Sequence, residues 1–349
     1  MEVAPVFLPS PAAAQPAQLR PLVADSDLPA AKALLAAALP WDQAGPVVEE
    51  KLFAGNGQRS GQTLGAFAGD ELVGLLAQAG RWLKLLLVHP AARRRGIGTQ
   101  LLLSAQAFAT TLPADPVVLT GRPRLRVGDH PGNYLSPGID ERELAGQAFL
   151  RARGFVEIGR NLNLRAPVIH NPLLSSERIA ECIARAAAQG YVVRRATAAD
   201  IPALLQMVTT DFHRVWAYEV SRALGPELGG AAALHTPPLP EGASVHIAVA
   251  ADGAVVAFAA HDGNNRGLGW FGPTGTLPSH RGRGLGEALL LCCLADVAPG
   301  AASADSSHAP PPAARPDAGV IAWVGPVEYY ARACGAVPDR RFVVYEEAP

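Results

Sequence analysis

Two short stretches hold the residues whose types and spacing could do chemistry. Residues 90–102 read PAARRRGIGTQLL and residues 278–290 read PSHRGRGLGEALL, each with the pattern Arg-x-x-Gly-x-Gly starting three residues after a proline. Arg93, Gly96 and Gly98 form the first copy, with Arg94 and Arg95 inside it; Arg281, Gly284 and Gly286 form the second, with Gly282 and Arg283 inside it. A single match in a chain rich in Arg and Gly carries little weight, but two matches, each with its proline and each ahead of an apolar helical run, are a repeat. Glycines let the backbone come close to a ligand and adopt positive φ, and the helix that follows offers unpaired N–H groups and its positive dipole end. Arginines add charge-assisted hydrogen bonds that can be bidentate to phosphate oxygens. The chemistry of such a turn is anion binding, above all of a pyrophosphate. No G-x-G-x-x-G opens a βαβ unit and no Gly-Lys-Ser/Thr follows, so the dinucleotide fingerprint and the P-loop are disfavoured.

The elements that must position these turns recur as well. DSDLPA at 25–30 returns as AADIPA at 198–203, each an Asp and Pro opening an apolar helix. Alternating apolar sequence broken by a tight turn follows at 63–78 and at 244–261, where Asp252-Gly253 is a strong hairpin pair. Strands at 81–88 and 270–277 lead into the two basic turns. After each turn come a helix, a strand (117–120 and 319–324), a helix (143–154 and 325–335) and a last strand. The order β-α-β-β-β-α-β-α-β is thus written twice. It divides the chain into a flexible leader at 1–17, a first domain at 18–168, a connecting helix within 169–189 and a second domain at 190–349. The Ala/Pro/Ser-rich stretch 298–319 reads as a mobile loop.

At 349 residues the chain exceeds the usual single core, which agrees with two domains. No run of about 18 apolar residues is present, and the start lacks a signal-peptide pattern, so a cytoplasmic location and no membrane partner are expected. The four cysteines, Cys182, Cys292, Cys293 and Cys334, lack metal-ligand spacing and read as reduced core residues; no metal is expected. A net charge of −1 offers no global field for nucleic acid, and RRRG and RGRG alone make a poor nucleic-acid surface.

Strand, proline, basic glycine turn and helix, in this element order in both halves, resemble the GNAT-type acyl-CoA N-acyltransferases, and the likeness covers most of the chain. The resemblance implies an α/β (α+β) fold of two tandem domains, each a mixed, mainly antiparallel sheet flanked by helices. It implies acetyl-CoA or coenzyme A as co-substrate. Each loop would hold the pyrophosphate, and backbone around Val88, Thr274 and Thr276 would face the pantetheine arm and thioester. The family's acid is a Tyr on the helix after strand 5. Tyr330 stands at the matching place in EYYARACGA, whereas AFLRARGF in the first half has Leu150, which cannot donate a proton. The second half is therefore the expected catalytic one, the first a cofactor binder or scaffold; Tyr134, in a loop, is a substitute acid for the first half.

Acyl transfer to an amine also needs a base. DFHRVWAYEV places Asp211, His213 and Glu219 within nine residues as candidates for it, with Trp216 and Tyr218 as acceptor-stacking residues; an amphipathic helix with aromatics inside explains the same residues. His261 and Asp262 are second acceptor-side candidates, and Glu287 reads as a first-turn carboxylate. The expected activity is N-acetyl transfer to the primary amine of a small molecule, an amino sugar or glucosaminide favoured by a looser likeness to bacterial glucosamine and glucosaminide N-acetyltransferases. A mycothiol- or antibiotic-type acetyltransferase and a non-catalytic acyl-CoA sensor stay open. So does the choice between monomer and homodimer.

Overall fold

The computed structural model describes residues 17–53, 60–113, 123–225, 244–299 and 317–349. The expected strand at 117–120, the leader up to residue 16 and most of the stretch 298–319 lie outside the described residues. The first half contains β1 (Gln18–Pro21), α1 (Ala24–Ala38), α2 (Val48–Phe53), β2 (Gly61–Ala68), β3 (Glu71–Ala79), β4 (Trp82–Val88), α3 (Ile97–Thr110), β5 (Arg126–Val127), β6 (Ile139–Asp140), α4 (Leu144–Arg151) and β7 (Phe155–Pro167). Helix α5 (Ser176–Ala187) leads into β8 (Val192–Arg195), α6 (Ile201–Met207), α7 (Arg214–Leu224), β9 (Val245–Val249), β10 (Val255–His261), β11 (Trp270–Thr276), α8 (Leu285–Val297), β12 (Ala318–Ile321), α9 (Val327–Cys334) and β13 (Val337–Glu347).

The central strands are apolar on both faces because both are covered. On β3, Leu75 joins the core under α1 and α2 while Leu76 joins the core under α3. On β10, Phe258 faces α6 and α7 while Ala257 faces α8. The repeated helix starts are clamped alike: Arg20 holds Asp27 through two hydrogen bonds of 2.7 and 2.9 Å, and Arg194 holds Asp200 through two of 2.7 and 2.8 Å. The segment expected as a linker does more than connect. The Ser175 hydroxyl caps α5, and Cys182 and Ala186 pack into the core of the second half.

All described strands join one mixed, mostly antiparallel sheet, in the order β1-β2-β3-β4-β5-β13-β7-β12-β11-β10-β9-β8, with β6 beside β13. The two halves exchange their last strands. β13 lies against β5 (Tyr345 opposite Val127), β7 lies against β12 (Leu164 opposite Ile321), and β7 and β13 pair with each other along their length. Val343 and Tyr345 consequently complete the core of the first half, and Leu164 and Ala166 that of the second. No helix among the described residues is long and apolar enough to cross a membrane.

Candidate functional site

Each half opens a cleft by the same backbone device. β4 pairs in parallel with β5 only at Trp82 and Leu83, and β11 with β12 only at Trp270 and Phe271. Just beyond, a β-bulge interrupts the ladder with the inner neighbour, at Lys84 in β4 and at residues 272–273 in β11. The strands then part. The His89 N–H bonds to Val73 O and the Leu277 N–H to Val256 O, both at 2.9 Å. Successive residues of a strand turn their backbone groups to opposite sides, so those of Leu86 and Val88, and of Thr274 and Thr276, face the open cleft.

The basic turns close the wide ends of these clefts. Arg94 (φ 65°) and Gly282 (φ 75°) hold equivalent left-handed positions, as do Gly96 (φ 83°) and Gly284 (φ 79°), each of which caps the following helix. Left-handed backbone costs a residue with a Cβ about 1 kcal/mol or more, which glycine avoids. The Arg93 Nε donates to Val88 O at 3.2 Å and the Arg281 Nε to Thr276 O at 3.1 Å. Both guanidinium groups are thereby fixed at the helix N-termini of α3 and α8, and their Nη atoms take no partner among the described residues.

In the first half, the cradle opens onto a cavity of about 840 Å³. Its wall runs from Arg93, Arg94, Gly96 and Gly98 along β4 to Lys84 and across to Phe149 and Leu150 on α4. Three carboxylates edge it. Asp42 and Asp140 are both held by Arg340 of the exchanged β13, at 2.7 and 2.8 Å, while burial raises the Glu143 carboxyl beside Arg93 above its ordinary value. Turn, helix N-terminus, open strand edge and elongated cavity fit a ligand with a pyrophosphate at one end and a narrow arm along β4.

The fold is shared with solved structures. A glucosamine N-acetyltransferase region of a fungal multi-domain GH3 β-N-acetylglucosaminidase superposes with a TM-score of 0.68 at 16% identity, over 95% of this chain and 38% of that one. A tandem GNAT protein from the clavulanic acid pathway gives 0.61 at 19% identity, covering 95% and 99% of the two chains. A GCN5-related N-acetyltransferase from Sphaerobacter thermophilus gives 0.59 at 18%, over 95% of each. The chain has the tandem GCN5-related N-acetyltransferase fold. It spans about 38% of the length of the fungal protein. No protein-family profile and no curated protein matches the sequence.

Within this acetyltransferase fold the expected residues divide. In the second half, Thr274 spends its hydroxyl on Phe258 O at 3.0 Å, Thr276 borders Gly286, and Arg283 lies over the Tyr191 ring at 5.8 Å. Arg95 is exposed beside the first cradle and does not line the cavity. Leu150 and Tyr330 both turn inward. Tyr330 packs on Phe271 in the core, and burial pushes its hydroxyl up to about 12. The neighbours one residue earlier face the cradles: a Cβ on Gly98 would stand 3.1 Å from the Phe149 ring, and one on Gly286 3.3 Å from the Tyr329 hydroxyl. Sequence reasoning passed over Tyr329, although Tyr329-Tyr330 matches Phe149-Leu150 pair for pair.

The candidates of 211–219 are not brought together. The chain winds through a π-turn at Val208–Phe212, leaving Asp211 exposed; His213 caps α7, its Nδ1 accepting from Val215 N at 3.1 Å. Trp216 stacks on Phe212 at 5.9 Å, and the Tyr218 hydroxyl accepts from Arg222 at 3.4 Å. His261 is bracketed by Asp262 (3.1 Å) and Asp296 (3.2 Å), hydrogen bonds that outweigh its burial and raise its affinity for a proton. The other oxygen of Asp262 accepts from the N–H groups of Gly267 and Gly269, so this pair shapes the loop that follows.

Glu219 alone of that group is buried in a polar centre between the halves. Lys51 donates to Glu50 (2.6 Å), Asn133 (3.1 Å) and Asn264 (2.6 Å), and Arg222 reaches Glu50 at 3.2 Å. Burial pushes the Glu219 carboxyl up to about 7, against the opposing pull of Lys51 and Arg222. Burial likewise lowers Lys51 to about 8, and it raises the Tyr134 hydroxyl, with the Glu219 charge adding to the effect. Tyr134 rests on Trp270 and Trp323, at 5.9 and 5.8 Å, and so sits at the mouth of the second cleft. Lys84 from the wall of the first cavity and Tyr134 beside Trp270 of the second cleft both border this centre. Its membership was hidden in the sequence because Glu50, Lys51, Asn133, Glu219 and Asn264 come from four separate segments.

Proposed function

We propose that the protein is an acetyl-CoA-dependent N-acetyltransferase acting on the primary amine of a small molecule, and that the co-substrate lies in the cavity of the first half. The observation that carries this reading is the continuous 840 Å³ space from the Arg93–Gly96 cradle along the open edge of β4. In it, Arg93 and the α3 N-terminus hold the pyrophosphate, and backbone groups of Leu86 and Val88 hold the pantetheine arm. The bound thioester supplies an activated acyl group. Glu219, with a carboxyl near 7, is suited to take the proton of an ammonium in water-poor surroundings at neutral pH. An amino sugar is the acceptor we favour, on the likeness to a region named as a glucosamine N-acetyltransferase.

A second reading places turnover in the second half, with Arg281, Gly284 and Gly286 as cradle and Tyr330 as acid. The Tyr329 hydroxyl beside Gly286 and the protonated Tyr330 favour it. One experiment separates the two. Arg93→Ala with Gly96→Ala, and Arg281→Ala with Gly284→Ala, are made in the full chain, since the exchanged strands tie the halves together. Acetyl-CoA binding is measured by calorimetry, and thiol release against a panel of amines led by glucosamine. The first pair should weaken binding at least about ten-fold and stop turnover. If only the second pair does so, the second half is the active one. If neither does, the acyltransferase reading fails.

A further inference from the structure

The sequence holds 27 arginines but only three lysines, Lys32, Lys51 and Lys84. Lys32 is exposed, whereas Lys51 is fully buried and Lys84 is 6% exposed. A chain that uses arginine for nearly every cation has thus kept two primary amines at its centre, where burial is most costly for an ammonium. The two differ in their surroundings. Lys51 has an oxygen acceptor for each of its three N–H bonds, which leaves its nitrogen no free lone pair as an ammonium. Lys84 lies on the bulge of β4, at the vertex where β4 and β5 part, and lines the cavity.

We propose that Lys84 is a self-acylation site, taking the acyl group from a thioester bound in the first cleft; this rests on the cofactor placement given above. Lys84 lies four residue steps before Val88, about 13 Å of strand. A ligand anchored by its pyrophosphate at the cradle and extended along β4 delivers its far end to this vertex. The Lys84 Nζ forms a bond to the acyl carbonyl carbon, the carbon–sulfur bond breaks, and the electron pair leaves with the thiolate, which takes up the proton lost by Nζ. The products are Nε-acyl-lysine and free coenzyme A. An amide is not an activated acyl donor, so the product is a lasting modification rather than an intermediate. It fills the vertex and removes the basicity of the amine.

The charges around Lys84 favour the nucleophilic form. Burial holds the amine well below the usual lysine range, Lys51 and Arg222 add to this, and Glu50 opposes it. Arginine in the same place could not react, because its guanidinium stays protonated.

The test is to incubate the full chain with acetyl-CoA and locate the label by intact mass and peptide mapping, with Lys32 as internal reference and the urea-unfolded chain as control. In the folded chain Lys84 should acquire one acetyl group at least about ten-fold faster than Lys32, as expected for a reaction made intramolecular. Excess free coenzyme A should suppress it, and the preference should vanish on unfolding. Lys84→Arg should abolish the label while coenzyme A still binds. Calorimetric binding of coenzyme A without label on Lys84, or equal label on Lys32, overturns the proposal and leaves the cofactor site standing. Absence of any binding overturns both.

Discussion

Replacing Glu219 by Gln tests the polar centre buried between the two halves. The carboxyl is nearly inaccessible, and burial moves it from its ordinary 4.5 to about 7 despite Lys51 and Arg222. Between these values the folded chain keeps a proton that the unfolded chain has released. Stability must therefore fall as pH rises from about 4.5 to 7, and it is fully retained only below that window. At 1.36 kcal/mol per unit, the charged form at pH 8 costs on the order of 3 kcal/mol relative to a neutral side chain of the same shape. Gln keeps an oxygen that can accept from the Gly132 N–H, which Glu219 accepts now. Glu219→Gln is accordingly expected to be more stable than the parent at pH 8, by up to that amount, and indistinguishable from it at pH 4. Urea unfolding curves of both proteins across pH 4–8 measure the difference. Parallel pH profiles would refute the reasoning, since they would mean that Glu219 is already ionised throughout. If Glu219 is the base, the same variant should also lose about a hundred-fold or more in kcat/KM with whichever amine is turned over.

Two further outcomes follow from the first cavity. Glu143 edges the cradle with its carboxyl raised by burial, so coenzyme A should bind more weakly as pH rises and this group ionises against the incoming pyrophosphate; Glu143→Gln should flatten that dependence and tighten binding at pH 8 by about 1 kcal/mol, roughly five-fold, in calorimetry. Arg340, on the exchanged strand β13, neutralises Asp42 and Asp140 on the cavity rim; Arg340→Ala leaves Asp42 without its partner and should lower stability by about 2–3 kcal/mol in urea unfolding, and a change under about 0.5 kcal/mol would show that the exchanged strand is held by its backbone ladder alone.

Local order was legible because it rests on local chemistry. The paired basic turns announced themselves through glycines that only left-handed backbone demands, and both appear as helix-capping cradles at Gly96 and Gly284. Much of the element order could be read from apolar periodicity, though α2, β5 and β6 were not among the expected elements, and the tandem acetyltransferase fold followed from the order and the turns together. Nothing local marks that β13 and β7 change places: both are strands with suitable patterns wherever they pair, and only the closing of two cores selects the exchange. The cavity was equally invisible, because its walls come from the end of α1, β4, α4 and residues 127–140, which only packing brings together. Tyr330 and Tyr329 illustrate the limit at single-residue scale. Neighbours on a helix differ by about 100° in direction, so which hydroxyl meets the cradle is decided by how α9 is rotated against β12 and α8. Residue types and their spacing determined the glycine-capped basic turns and the fold. Tertiary packing decided the shape of the first-half cavity, and it alone gathered Glu50, Lys51, Lys84 and Glu219 from distant segments into one desolvated centre, where burial and the neighbouring charges together set which of them carry charge.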